Sequence, residues 1–224
     1  EGLDAHDLAT ALRRTPGVTI SRYNPVGSFG GGQGGAVFVR GQGSSRPGAE
    51  LQTLVDGVPV YNPVWNHPLL DLLPVGPTSE IEVMKGPQPW LFGNAFSAVN
   101  LVPRRFDEAG YATRLSLSLG RYATFTERLD HGGQVGRFDY LLGQSWRRSD
   151  GHRSHADGRL GDGYGSLGYA LDEHWTVRGF VLHTDSAAHD PGPRGNADAR
   201  EGRYETRSTL GTLSLSHRYD ETEG

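Results

Sequence analysis

Few of the chemically capable residues in this chain stand at the spacings that catalysis uses. Gly30 to Gly35 satisfies G-x-G-x-x-G on paper. That fingerprint cradles a pyrophosphate only when a strand leads in and a helix follows. Here Ala36-Val37-Phe38-Val39 follows, a strand pattern, so the glycine run reads as a flexible loop. His152 and His155 form an H-x-x-H, with His183 and His189 further on. Without carboxylates ordered around them, such loop histidines read as polar surface rather than metal ligands. Asp130 and Asp139 could be taken for a hydrolytic carboxylate pair, but strand alternation places them among polar inner-face residues instead. No Ser/His/Asp spacing, zincin helix or phosphate loop is present. The chain therefore reads as a non-enzyme, with no cofactor and no metal site.

Better-placed groups lie on two loops, Gln42-Gly43-Ser44-Ser45-Arg46 and Tyr61-Asn62-Pro63-Val64-Trp65-Asn66-His67. Together they offer hydroxyl, guanidinium, amide, imidazole and aromatic groups, which hold chelates and sugars by hydrogen bonds, ion pairing and stacking. Pro63 and Pro68 bracket Trp65, Asn66 and His67 and restrict that backbone. Two readings stay open. Ser44, Ser45, Arg46, Tyr61, Asn62, Trp65, Asn66 and His67 contact a ligand, or Tyr61 and Trp65 pack their loop against a wall.

The elements that must hold these loops are short. Asp4–Arg14 places Leu8, Ala11 and Leu12 on one helical face, with Asp4 as N-cap and Arg13-Arg14 suited to the C-terminal end of the dipole. Strands follow at Val18–Arg22, Ala36–Arg40, Leu51–Val55 with Val58–Tyr61, Ile81–Lys85 and Ala98–Val102. Asp56-Gly57 signals a hairpin, and Leu91-Phe92-Gly93-Asn94 a turn. Polar loops are expected at Asn24–Gly35, Gln42–Gly48 and Asn62–Pro68, longer than compact domains usually keep.

After Arg105 the pattern changes. Leu115, Leu117 and Leu119 alternate with Ser116 and Ser118. In Arg137–Arg148, Phe138, Tyr140, Leu142 and Trp146 fall on one face, opposite Asp139, Gly143, Ser145 and Arg147. Thr124–His131, Tyr164–Leu171, His174–Thr184 and Glu205–Tyr219 complete six expected strands. Gly132–Gly136 and Leu171–Glu173 read as short turns, Asp150–Gly161 and Asp185–Gly202 as long loops. Alternating short and long connections mark outer-membrane barrels; the brief Gly120–Ala123 link departs from that parity.

Composition fits. The 224 residues include 33 Gly, 35% hydrophobic residues and no cysteine. A soluble domain of this size is usually richer in apolar residues, whereas a barrel needs them only on its lipid side. No run approaches the ~18 apolar residues of a membrane helix. Up to Arg105 eight acidic and eight basic residues cancel, and the remainder holds 18 acids against 14 bases, net −4. Neither part offers the clustered positive field that nucleic acid requires.

Val39-Arg40-Gly41, Leu54-Val55-Asp56-Gly57-Val58-Pro59, Glu80–Pro87 (EIEVMKGP) and Leu91-Phe92-Gly93-Asn94 occur in that order. The series closely resembles the plug domain of TonB-dependent outer-membrane receptors. The resemblance implies an α+β plug domain over residues 1–105, followed over 106–224 by the first six or so strands of an antiparallel transmembrane β-barrel. A family barrel has 22 strands, so the chain is expected to be part of a receptor. It implies the Gram-negative outer membrane as location, with membrane lipid and the TonB energy-transducing complex as partners. The family's short TonB-binding segment normally precedes the first helix, and no match to it is seen here. It further implies import of a scarce small-molecule ligand, most often a ferric siderophore or other metal chelate. A ligand-sensing signalling receptor without transport is the alternative. Arg40 and Lys85 match the family's paired cations, which lock the plug to acidic residues on the inner barrel wall; the plain alternative is two solvated strand-end charges.

Overall fold

The computed structural model describes residues 5, 7–21, 26, 36–44, 51–60, 73–93, 95–190 and 202–219, with only the backbone at Ser21, Ala36, Gly43, Ser44 and Asp190. Its elements are α1 (Leu8–Leu12), β1 (Val18–Ser21), β2 (Ala36–Val39), β3 (Gln42–Ser44), β4 (Leu51–Val55), β5 (Val58–Pro59), β6 (Thr78–Met84), α2 (Pro89–Phe92) and β7 (Ser97–Pro103). Six longer strands follow: β8 (Gly110–Gly120), β9 (Thr124–Val135), β10 (Phe138–Ser149), β11 (Gly158–Ala170), β12 (Trp175–Asp190) and β13 (Gly202–His217).

The N-terminal strands form two small sheets, ordered β1-β2-β3 and β5-β4-β7-β6, with β4 and β7 parallel. Both tight hairpins have a non-glycine followed by Gly at positive φ: Arg40 and Gly41 (51° and 79°), and Asp56 and Gly57 (52° and 76°). This left-handed pair matches the twist of the flanking strands. Asn100 on β7 steadies the second hairpin, accepting a hydrogen bond from the Gly57 N–H at 3.0 Å and donating to Glu82 at 2.8 Å.

Several expected boundaries move. Gln42–Ser44 is a strand rather than loop, because the Arg40-Gly41 turn returns the chain onto β2. The helix is only Leu8–Leu12, capped by Asp7, whose carboxylate accepts from the Thr10 N–H at 2.7 Å. Asp4 lies outside the described residues. Where Leu91–Asn94 was read as a turn, Pro89 at the first helical position starts a one-turn helix that ends at Gly93.

Strands β8 to β13 form one consecutive antiparallel sheet. All but β10, which keeps its length and shifts by one residue, are longer than their sequence patterns suggest. Gly132 and Gly133 belong to β9 and not to a turn: a Cβ on Gly132 would lie 2.5 Å from the Phe106 ring, and one on Gly133 would strike the Gly110 carbonyl. Glycine here permits close approach rather than chain reversal. The turn is Gly136-Arg137, and Gly136 has φ 60°. The long connections shrink to 150–157 and 191–201, the latter outside the described residues. Asp172 in the 171–174 turn accepts the N–H groups of His174 and Trp175 at 2.8 and 2.7 Å, which holds its carboxyl below the ordinary range.

The two faces of this sheet differ. Leu115, Leu117 and Leu119 are 64, 62 and 85% exposed, and Phe138, Leu142, Leu167, Val181, Leu213 and Leu215 point the same way. From Phe138 to Trp146 this face runs about 27 Å along β10, or about 21 Å of height at a ~40° tilt, close to the ~25 Å apolar band of an outer-membrane barrel. Its polar positions include Glu127, Gln144, His183 and Thr209; half-buried Glu127 takes a 3.4 Å hydrogen bond from Gln144, and His183 meets Thr209 at 2.8 Å. The opposite face mixes polar and apolar side chains and is largely buried on β9 to β12, where the N-terminal unit packs against it. Leu141, Tyr164, Phe180 and Leu182 of the long sheet share one core with Leu8, Leu12, Val39, Leu51, Val99 and Leu101.

Candidate functional site

The contact between the N-terminal unit and the long sheet is built from charges that neither part could bury alone. Asp7 closes the first turn of α1 with one carboxylate oxygen. Its other oxygen meets Arg147 Nη1 at 2.6 Å, and both side chains are almost fully enclosed. Arg147 reaches inward because it follows Ser145 by two residues on β10, and Ser149 continues the row. Asp7 is held from behind by the backbone: it bridges to Pro74, and the Leu8 N–H donates to the Leu73 carbonyl at 3.2 Å. A buried pair of this kind is stable only with such support, since desolvating two charges offsets most of their attraction.

Further along the seam, Asp130 on β9 collects several groups. It accepts a short hydrogen bond from the Tyr164 hydroxyl. Arg128 lies 3.5 Å away and Arg104, just after β7, 3.7 Å. Arg104 also donates to the Gly76 carbonyl at 3.3 Å, so one guanidinium links the two units. Tyr164 fills the gap between Gly76 and Gly143; a Cβ on Gly143 would sit 2.5 Å from its ring, and one on Gly76 would sit 2.7 Å from its hydroxyl oxygen. On this geometry Gly143→Leu should expel Tyr164 from Asp130 and destabilise the full-length protein by about 1–3 kcal/mol, as overpacked cores do. Chemical denaturation monitored by tyrosine fluorescence checks it, and an unchanged midpoint would contradict it.

Near the short-turn rim, Arg178 pairs with Asp139 through two bonds of 2.6 and 2.7 Å and touches Ser166 at 3.3 Å. Ser145 donates to Asp162 in the middle of the face. The arrangement contains no nucleophile, base and orienting group in sequence. What it can do chemically is hold: a ladder of ion pairs and hydrogen bonds seats one unit on the wall of another.

The residues singled out from sequence fall elsewhere. Arg40 is exposed at the tip of the β2–β3 hairpin, and Lys85, half-buried, directly follows β6; neither forms an ion pair among the described residues. Ser44 closes β3 by its backbone. Ser45, Arg46, Tyr61, Asn62, Trp65, Asn66 and His67 lie outside the described residues. His155 and His189 bring their rings within 6.3 Å, but His183 points away to Thr209 at 2.8 Å. No group of three metal-capable side chains occurs among the described residues. Sequence reasoning did assign Arg147 and Asp139 to the inner face. It had no signal for Asp7 as the partner, 140 residues away.

Comparison with known proteins gives one consistent answer. The sequence model of the family described as TonB-dependent Receptor Plug Domain matches residues 1–99. The vitamin B12 transporter BtuB of Vibrio vulnificus strain CMCP6 is 32% identical over 125 residues, 54% of this chain and 18% of that protein. BtuB of strain YJ016 is 26% identical over 203 residues, 83% of this chain and 31% of that protein. The chain thus spans under a third of these relatives. Among solved structures, the outer-membrane ferripyoverdine receptor of Pseudomonas aeruginosa superposes with TM-score 0.74 at 15% identity, over 97% of this chain and 30% of that one. The alcaligin receptor FauA of Bordetella pertussis superposes at 0.69 and 19%, over 96% and 33%. At these identities the shared property is the fold. The proteins named here are transporters and receptors, not enzymes.

Proposed function

We propose, from the plug-domain family match over residues 1–99 and an antiparallel sheet like part of such a receptor's barrel, that the chain is part of a TonB-dependent outer-membrane receptor that imports a scarce ligand at the expense of TonB-delivered energy. The observation that supports this most directly is the seated plug-type unit, held against the long sheet by ion pairs such as Asp7–Arg147 as well as by a shared apolar core. We place the domain boundary at 105/106, where the plug gives way to the barrel strands. Arg40 and Lys85 would then lock the plug against acidic residues on strands other than the six described. TonB, acting on the segment before Leu8, is the mechanical partner.

The ligand is a ferric siderophore or another metal chelate. Relatives are named for vitamin B12, ferripyoverdine and alcaligin, which share a bulky, polar, metal-bearing or metal-binding character. Ser44, Ser45, Arg46, Tyr61, Asn62, Trp65, Asn66 and His67 are the residues we assign to contact it. Arg46 supplies a charge-assisted hydrogen bond, and Trp65 or Tyr61 a stacking surface. Arg46→Ala and Trp65→Ala should each weaken binding by about 1–3 kcal/mol and leave the plug inserted. Calorimetry on detergent-purified full-length receptor with a growth-supporting ferric siderophore measures this. Unchanged affinity in both would return the two residues to a packing role. Uptake that persists when TonB is deleted would overturn energy coupling.

A further inference from the structure

We propose that the outward face of β10 and β11, at the long-loop rim, is a binding site for the phosphate of an outer-leaflet glycolipid, with Arg148 and Arg159 as its ligands. The inference rests on the outer-membrane reading above, which makes this face the lipid side and this rim the outer one. Arg148 and Arg159 are cross-strand partners in register, and both are exposed. Like charges directly opposite each other repel and weaken a ladder pair. Neither guanidinium has an ion pair among the described residues, although carboxylates are near. Asp157 is engaged by His189 at 3.0 Å, and Glu205 by Arg203 at 2.5 Å. Asp150 also lines the cleft, and among the described residues it forms no ion pair. The cleft has a volume of about 280 Å³ and includes Arg148, Arg159, Arg203 and His189. A phosphate between two such forks turns the repulsion into paired charge-assisted hydrogen bonds.

Depth selects a lipid as the source of that phosphate. Trp146 is the next outward residue below Arg148, and its indole lies over Gly161, where a Cβ would be only 2.9 Å from the ring. Below it comes Gln144, and beyond that the face is apolar at Leu142 and Phe138. Indole rings gather where the apolar band meets the headgroups, so the two arginines one pair higher stand at phosphate level. A free anion would gain nothing from the apolar wall beneath; an acylated one has its chains against it.

The test uses full-length receptor purified from outer membranes and exchanged in detergent with bisphosphorylated lipid A, its dephosphorylated form, or inorganic phosphate. Native mass spectrometry reads the bound lipid. Wild type should retain the bisphosphorylated form at least about tenfold more than the double variant Arg148→Gln, Arg159→Gln. The Arg148→Lys, Arg159→Lys pair should retain most of it, and the dephosphorylated lipid should bind all three equally weakly. Equal retention by wild type and the Gln pair, or equal binding of the dephosphorylated lipid to wild type, would overturn the site. Complete displacement by equimolar inorganic phosphate would overturn the lipid as its occupant. A receptor that fractionates outside the outer membrane would instead sink the reading on which this one rests.

Discussion

Arg147→Met in the full-length receptor should loosen the plug by about 3–5 kcal/mol, the usual cost of stranding one member of a buried ion pair. The variant leaves the Asp7 carboxylate enclosed at the start of α1 without the guanidinium that met it at 2.6 Å. Asp7→Asn should be comparably harmful for the opposite reason. Asparagine caps a helix as well as aspartate does, so the helix survives while the Arg147 guanidinium loses its counter-charge. The double variant should recover much of the loss, since two well-packed neutral groups replace a costly charge pair. The measurement is denaturant-induced plug release, followed by protease access to the plug while the barrel stays intact. Additive losses, or single-variant losses below ~1 kcal/mol as for exposed pairs, would show that the pair does not seat the plug. Asp7 immediately precedes α1, so if TonB pulls on the segment before Leu8 as proposed, the single variants should also lower the force needed to extract the plug.

The parts of this architecture legible in the sequence are those set by local periodicity. Leu115, Leu117 and Leu119 against Ser116 and Ser118 specify a strand with one apolar face, whatever lies beyond it. Asp56-Gly57 specifies its hairpin by the φ it demands. Where a residue's role depends on a distant neighbour, the reading slipped. Gly132-Gly133 suggests a turn locally, yet the glycines are there because Phe106 and the Gly110 carbonyl come too close for a side chain. Gln42–Ser44 looks like polar loop because three residues carry no periodicity, and only pairing with β2 makes them a strand. Asp4 and Asp7 are equally good caps by type; the Arg147 guanidinium and the Pro74 bridge show where Asp7 is anchored.

The same distinction explains why the candidate ligand loops remain proposals while the seam is described. A seam is an outcome of two faces meeting, so its charges are fixed by packing. A ligand loop owes its residue types to a molecule outside the chain, and Trp65 between two prolines reads alike as an anchor or as filler. Charge composition adds nothing, because net neutrality up to Arg105 conceals Asp7, which is paired with a barrel-strand arginine.

Leu117→Arg should cost about 2–4 kcal/mol in the full-length receptor, the penalty for a guanidinium on the lipid face near the bilayer midplane. Leu117 lies in the middle of an outward row on β8, between Leu115 and Leu119, and is 62% exposed. Leu117 stands in the register row of Glu127 and Trp146, three residues from the end of β8, so snorkelling past Leu119 moves the cost toward the lower end of that range. Ser116→Arg tests the same strand one residue away with the same added charge. Its side chain points to the inner side, where polar atoms and water can receive it, so the loss should be well under half as large. Refolding titrations of both variants into lipid vesicles, read by the heat-modifiable shift on gels, give the comparison. Equal damage at the two positions would mean that the faces of β8 are not lipid and lumen. Greater damage at Ser116 would mean that they are reversed, and with them the inward assignment of every polar residue paired in register with that row.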